Sequence, residues 1–526
     1  MAIELPALNG APTGWRRTAR AALPMVLLVL AWVLLVSVGL IHHEFWRDEV
    51  RALSSATEPR HVWNLPADNL GESHPLAWYV LLRLAHDVWP VKEVLPGVSV
   101  LCAAVALAIF LARAPFPMWW KALFVLGGLP LYEYVVMARN YGISMLLMFA
   151  FAALLCRPRR SAVHLGAVLF VLAQTNVHAA LLVPLLTLPW IALWAAERQD
   201  AAPAQPGAAE LALGLALAAA GLVGCALAIY PSKHSLITAH LGMVKAYSSQ
   251  YLGGTALAWF EPGYYFRKLT LLPALPGTLL LLAGVAGLAR RPVFAAAALL
   301  GLWALALFFA LIYNGGYRHQ GLWFIFLVSL YWIHLGHPLP AGPATAACWQ
   351  ARLLPIGLYG VLPLLLLIQC VSAYQSLRND VLNELSKSRA LGAAVRADPT
   401  LRGAVVLAQP DELLEVLPYY LDNPAWKIRE GGFGNTPTQS LDIRRQVSMG
   451  DLLQLVQRFK ASTGRPVLFV TMFRWQDGSA TQTFHAGWGL DFTVSPAELQ
   501  AFRQASTRLQ LGPDAVEENF DAYVFR

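Results

Sequence analysis

Residues 41–56 read IHHEFWRDEVRALSSA, and a second polar stretch at residues 72–79 reads ESHPLAWY. The first opens where a long apolar run ends, and it places His42, His43, Glu44, Arg47, Asp48 and Glu49 at the exit. Carboxylates beside hydrocarbon are expensive, so an acidic cluster there points to chemistry or ion handling rather than to packing. The bland alternative is a set of solvated residues at a helix end, and the rest of the chain weighs against it.

Immediately upstream, residues 22–41 are long enough to span a bilayer, about 30 Å at 1.5 Å per residue. Arg16, Arg17 and Arg20 precede them, which places the N-terminus in the cytoplasm. The run is too long for the apolar region of a signal peptide, and no small-residue cleavage site follows, so it reads as a retained anchor. The whole chain agrees: of 526 residues, 57% are hydrophobic and only 13% charged, against roughly 25% charged in a soluble domain. The net charge of +8 and pI of 9.2 follow from Arg and Lys at cytoplasmic helix ends, so they do not argue for nucleic acid. Cys102, Cys156, Cys225, Cys348 and Cys370 have no metal-ligand spacing, and none falls in the last part of the chain, which excludes a disulfide scaffold. The 18 tryptophans and 17 tyrosines read mainly as interfacial belts.

Working outward, the chain divides into a cytoplasmic tail (1–20), a transmembrane region (21–373) and a soluble domain (374–526). The first outer loop covers 42–92, and its second half, PLAWYVLLRLAHDVW, is apolar but interrupted by Arg83, His86 and Asp87, as in a helix lying at the interface. Further spans are expected at 94–112, 122–138, 141–156, 162–176, 179–196, 210–230, 270–289, 293–313, 321–337 and 353–373. Arg157–Arg160 (RPRR) is a cytoplasmic marker. A second long outer loop, 231–269, contains Lys233, His234, His240 and Lys245, which read as solvated. The count is about eleven, an odd number, so the soluble domain lies outside. There, GAVVLA (403–408) and RPVLFVTMF (465–473) read as buried strands, and VLNELSKSRALGAAVRA (381–397) and SMGDLLQLVQRFKAS (448–462) as amphipathic helices. The expected fold class is an α-helical polytopic membrane protein with a small C-terminal α/β domain.

This topology sorts the polar residues by side. Outer turns carry Asp48 and Glu49, Glu72 and His74, Arg139, His178, and Arg318 with His319, whereas cytoplasmic turns carry mostly Arg and Lys. A carboxylate base among arginines suits an anionic leaving group and an incoming hydroxyl. Arg139 and Arg318 can hold a phosphate in forked geometry.

FWRDEV (45–50), HPLAWY (74–79), YEYVVMARNYGISMLL (132–147) and YRHQGLWFIFL (317–327), in that order and on that side, resemble the C-type glycosyltransferase superfamily. That group includes protein O-mannosyltransferases and the aminoarabinose transferases that modify lipid A. The resemblance covers about residues 20–340. It implies a multispanning enzyme that takes its sugar from polyprenyl phosphate and transfers it to a lipid, polysaccharide or protein hydroxyl with inversion. It further implies Asp48 as the general base and Glu49 as its orienting or charge-assisting partner. Arg139, Tyr141, Arg318 and His319 would contact the donor phosphate. Glu72 and His74, with His178, would line the substrate or a divalent metal, and which of these remains open. Leu76 stands where the family has a second proline. The implied location is a bacterial inner membrane, with the site and the C-terminal domain facing the periplasm and membrane lipids around the helices. No other cofactor is implied. The alternative class is a transporter or flippase of lipid-linked or anionic substrates, which calls for ionisable residues at mid-membrane depth rather than at helix ends.

Overall fold

The computed structural model describes residues 13–58, 61–65, 74–199, 206–230, 236, 259–337, 347–438, 440–487 and 489–526. Glu72 and most of the loop 231–269, including Lys233, His234, His240 and Lys245, lie outside the described residues.

The chain is predominantly helical, and among the described residues six helices are long and apolar enough to cross a membrane: Leu23–His42, Val94–Arg113, Val177–Arg198, Ala208–Ile229, Pro292–Leu311 and Arg352–Leu382. Shorter apolar helices, Tyr141–Leu155, Ala162–Ala173 and Ala274–Ala286, complete the bundle. Leu30 and Leu34 are 59% and 65% exposed on the first helix, α1 (Thr13–His42), a surface that only hydrocarbon tolerates over such a length. These features make the chain a membrane protein. Its packing relies on small residues in places: a Cβ on Gly166 would lie 2.2 Å from the carbonyl oxygen of Gly214, so the helices Ala162–Ala173 and Ala208–Ile229 meet backbone to backbone.

Two elements set the position of the polar residues. The helix Tyr317–Leu335 is buried on every side from His319 to His334, so it forms a central post with Arg318 and His319 at its head. The expected span 122–138 is not one helix. Gly127, Gly128 and Pro130 break it into a short helix, Met118–Val125, and a single π-helical turn, Leu129–Glu133. Proline lacks the amide proton and glycine resists ordering, so the helical ladder fails there. Residues Tyr134–Ala138 then run irregularly yet buried, which is tolerated because protein, not lipid, surrounds them.

The last long helix runs to Leu382, nine residues beyond the expected span end. Beyond it lies the α/β domain. Strands β1 (Val405–Gln409), β2 (Ala425–Lys427), β3 (Gly432–Phe433), β5 (Val467–Thr471), β8 (Thr507–Arg508) and β9 (Asp521–Phe525) form a mixed sheet in the order β3-β2-β1-β5-β9-β8. A second sheet joins β4 (Gln446–Ser448), β7 (Asp491–Val494) and β6 (Gln482–His485). The two expected strands are β1 and β5, paired in parallel from Val405–Val467 to Gln409–Thr471.

Alternation along the strands gives the main sheet two apolar faces. Val405, Leu407, Val467 and Phe469 pack with Leu452, Phe459 and Phe502 from the domain's own helices. Val406, Ala408, Leu468, Val470, Ala522 and Val524 share a core with Phe45, Val50 and Leu53 of the first loop and with Trp78 and Leu82 of the helix Ala77–Val88. The first loop is thus a layer between bundle and sheet.

Candidate active site

The first loop folds into α2 (Arg47–Thr57), whose first turn holds Asp48 and Glu49. Carboxylates there favour the positive end of the helix dipole. Successive residues on a helix point about 100° apart, so the two acids part company. Asp48 is 40% exposed and meets Arg139, which is 11% exposed, with Oδ2 3.0 Å from Nη1. Glu49 is fully buried. Its carboxylate accepts from the amide of Ala138 at 2.6 Å and from the amide of Trp46 at 3.3 Å, and it lies 3.1 Å from Nε2 of His43. Glu49 therefore faces away from the mouth and ties α2 to the residue preceding Arg139.

Several backbone ties gather the separate turns. Asn140 donates to the carbonyl of Thr175 at 2.8 Å, and Ser144 hydrogen-bonds both Thr175 and Asn176. Asn176 Oδ1 in turn accepts from the amide of Ala179, capping the helix that begins at Val177. The amide of Ala77 donates to the carbonyl of Gln174, drawing the His74 segment to the same turn. The Tyr134 hydroxyl donates to the carbonyl of Arg318 at 2.7 Å. Gly142 permits this crowding, because a Cβ there would sit 2.5 Å from the carbonyl oxygen of Tyr134.

These ties gather Asp48, His74, Arg139, Tyr141, His178, Arg318 and His319 at one end of the bundle. The ring of Tyr141 meets His319 edge-on at 5.2 Å, and His178 lies 4.7 Å behind His319. Arg318 stands 3.4 Å from Glu133 and 5.5 Å over the ring of Trp46. His319 Nδ1 accepts from the amide of Gly316 at 2.9 Å. An accepting Nδ1 carries no proton, so Nε2 does, and His319 is a neutral donor rather than a cation. Burial would raise the pKa of Asp48, but the positive charges of Arg139, Arg47, Arg318 and His74 outweigh it and hold the carboxyl below its ordinary range. Asp48 is thus ionised throughout the physiological pH range.

Glu49 and Glu72 are the expected site residues that the structure does not bring to this mouth: the first is turned inward, and the second lies outside the described residues. Among the described residues, no three His, Cys, Asp or Glu side chains are grouped to hold a metal ion.

Behind Glu49 lies a network that sequence reasoning missed. His43, which the sequence places at the exit of the first apolar run, is fully buried, with Nδ1 3.0 Å from Asp380 and Nε2 3.1 Å from Glu49. Tyr132 donates to Asp380 at 2.7 Å. The signal available was a carboxylate, Asp380, on the helical continuation of the last apolar run. Burial disfavours the His43 cation, but Glu49 and Asp380 outweigh it and lift its pKa to about 9. A histidine pKa raised in the folded state contributes stability that is complete below the unfolded value and lost as pH rises through the folded one. Stability against thermal unfolding of the protein in nanodiscs is therefore expected to fall between about pH 6.5 and 9, by a few kcal/mol. The His43→Gln variant should lose this component and keep only the slope near pH 7 from Asp411 and Glu415, whose burial raises each carboxyl to about 7.

No protein-family model matches the chain, and no curated protein matches it. The solved structures similar along nearly its whole length include two states of one protein. The crystal structure of ArnT from Cupriavidus metallidurans bound to undecaprenyl phosphate is 14% identical, covers 98% of this chain and 98% of its own, and superposes with a TM-score of 0.48. The same protein in the apo state is 14% identical, covers 96% of this chain and 98% of its own, and gives a TM-score of 0.47.

Proposed function

We propose that this membrane protein is an inverting glycosyltransferase of a bacterial inner membrane, moving a sugar from a polyprenyl-phosphate donor to a lipid, polysaccharide or protein hydroxyl at the periplasmic face. The observation that carries this reading is the half-exposed Asp48 carboxylate, 3.0 Å from Arg139 and flanked by Arg47 and Arg318 at one end of the bundle. The motif order along the chain supports the same reading.

In this mechanism Asp48 takes the proton of the acceptor hydroxyl as its oxygen bonds to the anomeric carbon. The bond from that carbon to the phosphate oxygen breaks, and polyprenyl phosphate leaves with the electron pair. One base opposite one leaving group, with no second catalytic carboxylate, fits inversion. A carboxylate held this acidic is a weak base. The larger share of the barrier reduction therefore falls on the leaving side. There Arg139 and Arg318 supply charged N–H groups and His319 its Nε2–H, aimed at charge that grows on the phosphate. Tyr141 packs this cluster from the side, and the α/β domain guides the acceptor over α2.

The test is transfer of radiolabelled sugar from polyprenyl-phosphate donors by purified protein, with membrane lipid, polysaccharide and protein fractions as acceptors. Labelled product with inverted anomeric configuration is expected. Binding of lipid-linked sugar without transfer to any acceptor, together with its movement across proteoliposomes, would overturn the reading in favour of a transporter.

A further inference from the structure

His43 joins the α1–α2 junction to two stretches that are distant in sequence. It follows α1, bonds Glu49 of α2 through one ring nitrogen, and bonds Asp380 of the last long helix through the other. Asp380 also accepts from Tyr132 of the π-helical turn. Both ring nitrogens face carboxylate oxygens, and ionised carboxylates only accept, so both nitrogens carry protons. The carbonyl of His43 is fixed as well, by the Arg389 guanidinium, which also reaches Glu44 at 3.5 Å. Glu133, next to Tyr132, is the remaining charged neighbour on that turn, and its carboxylate is drawn to Arg318.

Glu49 is where this network meets the site. Its two oxygens are divided among His43, the amide of Trp46 at the start of α2, and the amide of Ala138. Asp48 and Arg139 are the residues adjacent to Glu49 and Ala138 in the chain. The carboxylate of Glu49 thus sets the separation of the two backbones that carry the Asp48–Arg139 pair, and His43 sets the orientation of Glu49. A cation placed between two buried carboxylates holds both, whereas a neutral ring in the same place satisfies only one of them as a donor.

We propose that the His43 imidazolium, braced by Asp380 and Tyr132, is a positioning device for transfer, holding Glu49 so that Asp48 and Arg139 stand in register. His43, Asp380 and Tyr132 act through Glu49 in this proposal, not on the sugar or the phosphate. This inference rests on the glycosyltransferase reading for its kinetic consequence but not for its structural one. The raised pKa of His43 agrees with the geometry and gives the consequence a pH signature.

Two measurements test it on the full chain in nanodiscs, each with wild type, His43→Gln, Asp380→Asn and the milder Tyr132→Phe. The first is the pH profile of transfer from pH 6 to 10. Wild-type kcat is expected to fall on the alkaline side as His43 loses its proton. His43→Gln should lower kcat at neutral pH by about tenfold or more, since small misplacements of reacting groups carry that cost. It should leave KM for the donor within about twofold, the signature of an effect confined to the transition state, and abolish the alkaline fall. An alkaline fall of unchanged midpoint in His43→Gln would overturn the proposal. So would a reduced yield of folded protein whose specific activity and profile match wild type, because that is a purely structural role. The second is amide hydrogen exchange read by mass spectrometry at pH 7. Faster exchange is expected in segments 47–57 and 134–140 of the variants, with the helix Met449–Thr463 unchanged. Unaltered exchange in both segments, or uniform loosening of the chain, would overturn the proposal. This second measurement needs no activity, so failure of the positioning role and failure of the glycosyltransferase reading remain distinguishable.

Discussion

Asp48→Asn is expected to lower kcat for sugar transfer by at least about a hundredfold, the scale at which general base catalysis contributes. The side chain keeps its shape but can no longer take a proton. It also ceases to balance Arg139, whose guanidinium is only 11% exposed. Some loss of thermal stability should accompany the change, about 1–3 kcal/mol for a buried group left without its partner, so transfer is to be normalised to folded protein. Asp48→Glu separates the two effects. It restores the negative charge near Arg139 but shifts the base by one methylene, so stability should return while transfer recovers only in part. Equal transfer by wild type and Asp48→Asn would reduce Asp48 to a structural loop residue and move the chemistry elsewhere.

Arg139→Ala is expected to be comparably severe, with kcat/KM falling by about 10²–10³-fold, as when one preorganised charge-stabilising donor is removed from an active site. Arg139 acts twice in the proposed mechanism, as counter-ion to Asp48 and as donor to the leaving phosphate. The pH profile distinguishes the two roles. In wild type Asp48 is held below its ordinary range, so the acidic limb of kcat/KM lies at low pH. Without Arg139, the charges near Asp48 that remain are Arg47, Arg318 and His74, and the limb should move upward. Arg139→Lys should keep the acidic limb low while losing the two-pronged grip on phosphate, so its defect should be flat with pH and appear partly in KM. An unmoved limb in Arg139→Ala would dissociate Arg139 from Asp48 in solution.

Much of the helical architecture was legible in the sequence, because length and hydropathy fix what can cross a bilayer. Each expected span has a helical counterpart. What periodicity could not show was the break in the third, where two glycines and a proline turn a helix into buried irregular chain. That break matters for the site, since it carries Tyr132, Glu133 and the approach to Arg139. Sidedness put Arg139, Arg318 and His319 on one side of the chain and the resemblance added Tyr141; the structure places these side chains at one end of the bundle. The divergence of Asp48 and Glu49 was not: two adjacent acids look alike in a sequence, and only a helical turn sends one to the mouth and the other into the protein. Asp380 was invisible for a different reason. Its partner His43 lies more than 300 residues earlier, and no local pattern encodes a pair so distant.

The sheet that lies against the first loop has a bearing on how the molecule comes to be active in a cell. β9 occupies an interior place between β5 and β8, it is synthesised after every other described strand, and its Ala522 and Val524 belong to the apolar layer shared with α2. Near it, Glu518 accepts from the amide of Arg47, one residue before Asp48. A loop made early therefore waits for a segment made late before its packing is complete. A nascent chain with all its membrane helices inserted would still lack the support behind Asp48. Folding behind Asp48 is in that sense a coincidence test between two segments made far apart in time.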